Sequence, residues 1–277
     1  MHRLYSTQHG FIVHSGGRFV RLPDSFDLDA LFASPEPHAL LAEALRSAQP
    51  ASEPALEALR PPLQSQEIWA AGVTYLRSMT ARMEEAKNAG GGTFYDRVYA
   101  AERPELFFKA TPHRTVGSGG KVRIRSDSKW NVPEPELTLA ISARGRIFGY
   151  TAGNDMSSRD IEGENPLYLP QAKVYLGSAA IGPCLVVSPE LPSPDTAILL
   201  EIRRGGVPVF SGETTIGRIM RPLPSLADWL FREQSFPHGC YLMTGTGIVP
   251  PDSFTLRSGD EVRIAIPPVG TLFNTIA

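Results

Sequence analysis

The sequence predicts an α+β fold that is mostly β, and three observations predict it. Proline and glycine each occur 25 times in 277 residues, and a proline share well above the ~5% average favours turns and short strands over a helical bundle. Beyond Pro104, short apolar runs recur between turn residues, the pattern of successive strands. Helical periodicity is confined to a few segments, none near the ~20 apolar residues of a membrane span. With 42% hydrophobic residues, the chain can bury a sizeable core in one or two globular domains, which excludes disorder.

Taken in order, residues 1 to 23 alternate loosely around the turn Ser15-Gly16-Gly17 and read as a small hairpin. Residues 38 to 48 carry strong helix formers at helical spacing. Pro50, Pro54, Pro61 and Pro62 then mark a linker, so the chain divides into a small N-terminal domain, 1–62, and a larger unit, 63–277. A helix is expected from about Tyr75 to Lys87, stopped by Asn88 and the run Gly90-Gly91-Gly92. That run, beside Tyr95, Arg97 and Tyr99, suggests a lid from about 86 to 102. Strands are expected at 106–109, 122–125, 137–141, 146–151 and 184–187. They continue through a hairpin over 198–211 across Gly205-Gly206, and then at 262–266 and 271–276. Ser225, with Asp228 three residues later, announces a helix near 226–235.

Charge and cysteine content narrow the function. Lys+Arg (27) nearly balances Asp+Glu (29) and no basic block occurs, so no nucleic-acid partner is expected. Cys184 and Cys240 stand far apart in no metal-binding spacing, which fits a reducing cytoplasm. The first residues lack a basic segment followed by an apolar core. The expectation is a soluble, cytoplasmic protein with no membrane contact, whose partners are small molecules or like subunits. Nucleotide and hydrolase signatures fail: Gly117-Ser-Gly-Gly-Lys121 is followed by Val122 and lacks the first P-loop glycine, no H-E-x-x-H occurs, and Gly149-Tyr-Thr-Ala-Gly153 has Thr where a nucleophile elbow needs Ser.

The informative stretch is Trp130-Asn-Val-Pro-Glu134-Pro-Glu136-Leu-Thr-Leu-Ala-Ile141. Residues two apart on a strand share a face, so Glu134 and Glu136 point the same way as Thr138 and Ala140, while Leu137, Leu139 and Ile141 face a core. Alone, the pair is either a solvated strand edge or half of a metal site. The next strand leads into Asn154-Asp155-Met-Ser-Ser-Arg159-Asp160, and a β meander would return Asp155 beside the glutamates. Three carboxylates make a hard oxygen site suited to Mg²⁺, with Mn²⁺ or Ca²⁺ as alternatives. Arg159 and Asp160 are read as a structural ion pair fixing the turn.

Glu-x-Glu, a strand, Asn154-Asp155-Met-Ser-Ser-Arg159-Asp160, then Lys173, Ile181-Gly-Pro183 and Gly245-Thr-Gly247 together resemble the fumarylacetoacetate hydrolase superfamily over about residues 68–276. Within it, the runs 103–111, 127–136 and 244–250 look most like the branch of 2-keto-3-deoxy-D-arabinonate dehydratases. The resemblance implies a mixed β-roll, Mg²⁺ held by Glu134, Glu136 and Asp155, and a 2-oxo acid substrate that chelates the metal. It also implies Lys173 as a catalytic base and Tyr75, Lys109, Gly245 and Thr246 as substrate-binding residues. A homodimer or homotetramer is implied as well.

One departure separates the branches. Hydrolases of the superfamily carry Asn-Tyr-x-x-His-x-x-Glu, whose His and Glu activate water; here the stretch is Thr74-Tyr75-Leu-Arg-Ser78-Met-Thr-Ala81. The resemblance therefore implies a lyase that dehydrates a 2-keto-3-deoxy sugar acid through a metal-stabilised enolate, a pentonate giving 2,5-dioxopentanoate. Lys173 removes a C3 proton, and Glu162 or a metal-bound water serves at C4. The alternatives are an acylpyruvate-type C–C bond hydrolase and a catalytically inert 2-oxo acid binder.

Overall fold

The structure is a computed structural model and describes residues 1–78, 80 and 97–277. Among these, two sheets carry the fold. The strands of the larger sheet are β1 (His2–Thr7), β2 (Gly10–Ser15), β3 (Arg18–Arg21), β4 (Gln49–Ala51), β5 (Leu59–Arg60), β6 (Glu67–Gly72), β7 (Glu105–Ala110) and β8 (Thr115–Val116). Further along the chain come β9 (Lys121–Val122), β10 (Asn131–Val132), β11 (Pro135–Ile141), β12 (Ile147–Asp155), β13 (Ser157–Ser158) and β14 (Ala179–Val187). The C-terminal strands are β15 (Ala197–Arg204), β16 (Val207–Thr215), β17 (Cys240–Met243), β18 (Glu261–Ile266) and β19 (Gly270–Ile276).

The 12-stranded sheet runs β4-β3-β2-β1-β14-β12-β11-β17-β6-β7, with β5 on β1 and β8 on β14; the 5-stranded sheet runs β16-β15-β18-β19-β9. Leu137, Leu139 and Ile141 of β11 face one apolar core together with Ile264 and Leu272 of the smaller sheet. Ala140, on the opposite face, joins a second core with Phe148, Tyr241 and the N-terminal side chains Leu4, Leu31 and Phe32. The larger sheet is thus covered on both faces, so its central strands are buried throughout.

Residues 1–62, expected as a small domain, contribute α1 (Leu28–Ala33), α2 (Pro37–Arg46) and the meander β1-β2-β3. Strand β1 pairs with β14 through His2, Arg3 and Leu4, so the sheet runs on from this segment into the larger unit. The Ser15-Gly16-Gly17 turn joins β2 to β3, and both glycines take positive φ.

Several boundaries differ from expectation. The strand expected at 122–125 ends at Val122, and Arg125 turns out to pair with Asp127. The helix expected near 226–235 is α5 (Leu223–Phe231), which starts after Pro222 and places Ser225 inside its first turn, with no side-chain cap. Between these lie α3 (Arg159–Glu164) and α4 (Leu169–Lys173). Strands β6 and β17 were unanticipated. Of the helix expected at 75–87, residues 76–78 and 80 are helical; the remainder, like most of the lid expected at 86–102, lies outside the described residues.

Candidate active site

The register of β11 on β12 builds the site. Pro135 pairs with Asn154 and Glu136 with Gly153, and the Asp155 N–H donates to the Glu134 carbonyl at 2.9 Å. Directly opposed residues on antiparallel strands project from the same face, as do residues two apart. Glu134, Glu136 and Asp155 therefore converge, and carboxylate oxygens from all three lie within 4.8 Å of one another in a buried cluster. The short β meander expected from the sequence is present.

Three cations meet these carboxylates. Lys173 Nζ donates to Glu134 Oε2 at 2.6 Å and to Asp155 Oδ2 at 3.3 Å. Arg159 Nη2 donates to Glu134 Oε1 at 2.8 Å, and Lys109 Nζ forms an ion pair with Asp155 Oδ1 at 2.5 Å. Glu136 is held differently, by the Gly245 N–H at 2.6 Å. Burial, reinforced by the negative charges of Asp155 and Glu134, pushes the Glu136 carboxyl well above the usual carboxylate range. A buried set of hard oxygens in which one carboxyl resists ionisation fits a hard divalent cation, which would supply the missing positive charge.

The carboxylates open onto a pocket walled by Gly72, Ser78, Phe107, Gly245 and Thr246, with Lys173 and Arg159 at its base. Gly245 has φ +92°, and a Cβ there would lie 2.0 Å from Thr74 Oγ1, so only glycine brings this N–H to Glu136. Ser78 donates its hydroxyl to the Tyr75 carbonyl at 2.8 Å, closing the turn from which a histidine would otherwise project. The Lys173 ammonium lies 5.9 Å from the Phe107 ring centroid, within cation–π range.

The other expected residues fall into place unequally. Thr246 and Gly245 line the pocket. Tyr75 lines a neighbouring pocket with Thr214, Arg218 and Gly247; its hydroxyl is buried without a hydrogen-bond partner among the described residues, and burial raises its pKa. Glu162 is buried and accepts from Ser157 Oγ at 3.0 Å. Lys109 is fully buried, and its ammonium meets Asp155 and donates to the carbonyls of Met156 and Lys173.

The turn-fixing pair also changes. Arg159 reaches Glu134, while Asp160 accepts from Ser128 Oγ at 2.5 Å and from the Lys129 N–H at 2.6 Å. Arg159 and Phe107 line the pocket, and neither was expected there. Glu105 pairs with Gly72, whose Cβ position would lie 2.0 Å from Glu105 Oε2. The available signal was the placement of Glu105 and Phe107 on a strand four and two residues from Lys109.

Comparison with known proteins agrees with this geometry. Residues 68–277 match the family described as fumarylacetoacetate (FAA) hydrolase C-terminal. A "Probable 2-keto-3-deoxyxylonate dehydratase" of Haloferax volcanii is 46% identical over 216 residues, 78% of this chain and 73% of that protein. A "2-dehydro-3-deoxy-D-arabinonate dehydratase" of Saccharolobus solfataricus is 42% identical over 217 residues, again 78% and 73%. The solved "2-keto-3-deoxy-D-arabinonate dehydratase complexed with magnesium and 2,5-dioxopentanoate" superposes with a TM-score of 0.83 at 34% identity, covering 99% of this chain and 97% of that one. With residues 68–277 matched by the family and about three quarters of its length aligned to these dehydratases at more than 40% identity, the chain belongs to the fumarylacetoacetate hydrolase family.

Proposed function

We propose that the protein is a Mg²⁺-dependent hydro-lyase that removes water from a 2-keto-3-deoxy pentonate to give 2,5-dioxopentanoate. The observation that carries this reading is Lys173, whose amine touches two of the three carboxylates at the base of a pocket in which Ser78 stands where a water-activating histidine would be. The dehydratases described above, one solved with magnesium and 2,5-dioxopentanoate, support the same choice.

Glu134, Glu136 and Asp155 would hold the Mg²⁺, which supplies Lewis acidity to the 2-oxo acid. Lys173, acting as the neutral amine, takes the C3 proton onto Nζ and becomes the ammonium, oriented throughout by Glu134 and Asp155. The C4 hydroxyl leaves as water once a carboxyl protonates it. Glu162 and Glu105 are the carboxyls assigned to that step, and comparing Glu105→Gln with Glu162→Gln identifies the donor. The C3=C4 enone so formed loses a proton from C5 and gains one at C3, and the C4=C5 enol that results tautomerises to the product aldehyde. Thr246 and the Gly245 turn bind the substrate carboxylate end, and Arg159 adds positive charge at the pocket base. Residues 63–277 would form the catalytic unit and 1–62 a supporting N-terminal domain, in a cytoplasmic homodimer or homotetramer that light scattering would size.

Incubation with Mg²⁺ and a panel of 2-oxo acids, read by mass spectrometry, tests the reading. Loss of water from 2-keto-3-deoxy pentonates is expected. Higher kcat/KM for acylpyruvate cleavage would make the protein a hydrolase, and binding without turnover would make it an inert 2-oxo acid binder.

A further inference from the structure

The Lys109 ammonium is engaged inside the protein. It pairs with Asp155 Oδ1 at 2.5 Å and donates to the carbonyls of Met156 at 3.0 Å and Lys173 at 2.5 Å. An ammonium has three donors and no more. Its acceptors come from two separate stretches: the end of β12 with the residue that follows, and the last residue of α4. The final carbonyls of a helix have no donor within the helix, and Lys109 supplies one to Lys173.

We propose that Lys109 is a positioning residue that fixes the Lys173 amine against the metal-binding carboxylates. The inference rests on the dehydratase reading above. Asp155 lies between two ammonium groups, with Lys109 on one oxygen and Lys173 on the other. Lys109 therefore holds both the backbone that carries Lys173 and the carboxylate that the Lys173 amine touches. Phe107, two residues earlier on the same strand, presents its ring to that amine at 5.9 Å from the ring centroid. Strand β7 thus locates Lys173 from both ends of its side chain. A misplacement of ~1 Å in such a group costs on the order of 100-fold in rate.

The test uses the Mg²⁺-loaded enzyme carrying Lys109→Ala, assayed with and without propylammonium, which replaces the missing atoms of the side chain. Removing one partner of a buried pair leaves Asp155 uncompensated, so the variant is purified with propylammonium present, and Lys109→Arg serves as a second, charge-keeping variant. We expect kcat to fall ~100-fold with KM within about threefold, and propylammonium to restore kcat by at least about tenfold. A KM raised about tenfold with kcat retained would make Lys109 a substrate ligand, and kcat and KM both unchanged per folded molecule would leave it a packing role only.

A second readout does not depend on the reaction. Modification of Lys173 by an amine-specific reagent, followed by peptide mass spectrometry, is expected to change several-fold in Lys109→Ala relative to Lys121 and Lys129, which stand on other segments. If the wild-type enzyme removes water from no 2-keto-3-deoxy acid, the dehydratase reading fails on its own. Unchanged Lys173 labelling would then separately overturn the positioning role.

Discussion

At the scale of single residues, the proposed reaction assigns Glu136 to metal binding and Lys173 to proton transfer. Glu136 is one of three carboxylate donors, and Glu136→Gln removes a charge while keeping the shape, so calorimetry should show Mg²⁺ affinity reduced by at least about tenfold. Unchanged affinity would remove Glu136 from the ligand set. Its raised pKa sets the direction of a pH effect. A carboxyl whose pKa rises on folding favours the native state fully below the ordinary carboxyl range and loses that contribution as pH climbs through the raised value. The metal-free protein therefore weakens over that window, while a bound cation stabilises the ionised form. The Tm gain from Mg²⁺ should grow with pH in the wild type and stay flat in Glu136→Gln, and a wild-type gain independent of pH would refute this account. Lys173 is assigned to the C3 proton, so Lys173→Met should lose ~100-fold or more in kcat for water loss. Its Mg²⁺ binding should persist in calorimetry, because the three carboxylates remain.

At the scale of elements, the close approach of β11 and β12 depends on a glycine behind the carboxylates. Gly153 pairs with Glu136, and a Cβ there would lie 2.2 Å from Thr138 Oγ1 and 3.1 Å from Met243 Cε. Gly153→Ala should cost about 1–3 kcal/mol by overpacking and lower Tm by several degrees in a calorimetric scan; an unchanged Tm would show that Thr138 can turn away. The alternation of residues 137–141 was legible because its odd and even positions enter two different cores, and Asp155 was placed correctly because the chain between the strands is short. Strand β17, Cys-Tyr-Leu-Met, was not legible: it is four residues long, buried on both faces, and shows no period that separates strand from helix. Nor were the partners of Lys109, since they lie at the end of β12, on the residue after it and at the end of α4, and sequence spacing does not reveal contacts of that range. Ser225 misled because a capping sequence cannot act within a helix that Pro222 has already started.

At the scale of the whole molecule, the site rests on strands that the N-terminal segment helps to hold. Asp155 sits at the end of β12, β12 is hydrogen-bonded to β14, and β14 is hydrogen-bonded to β1. The family match begins at residue 68, but the sheet and its second core do not begin there. Leu4, Val13, Leu28, Leu31, Phe32 and Leu41 are fully buried against Ile68, Phe148, Leu185 and Tyr241. Each such side chain contributes about 1.5–3 kcal/mol on burial, against a net stability of about 5–15 kcal/mol for a domain. Removing residues 1–62 would strip one face of the sheet and free an edge of β14, whose unpaired N–H and C=O groups are a template for aggregation. The fragment 63–277 should therefore be insoluble on expression, or melt well below the full chain and bind Mg²⁺ more weakly because β14 no longer restrains β12. Thermal melts and calorimetry on the two proteins decide the matter. A soluble fragment with the full chain's Tm and Mg²⁺ affinity would show that residues 63–277 stand as an independent domain and that β1 adds nothing to the site.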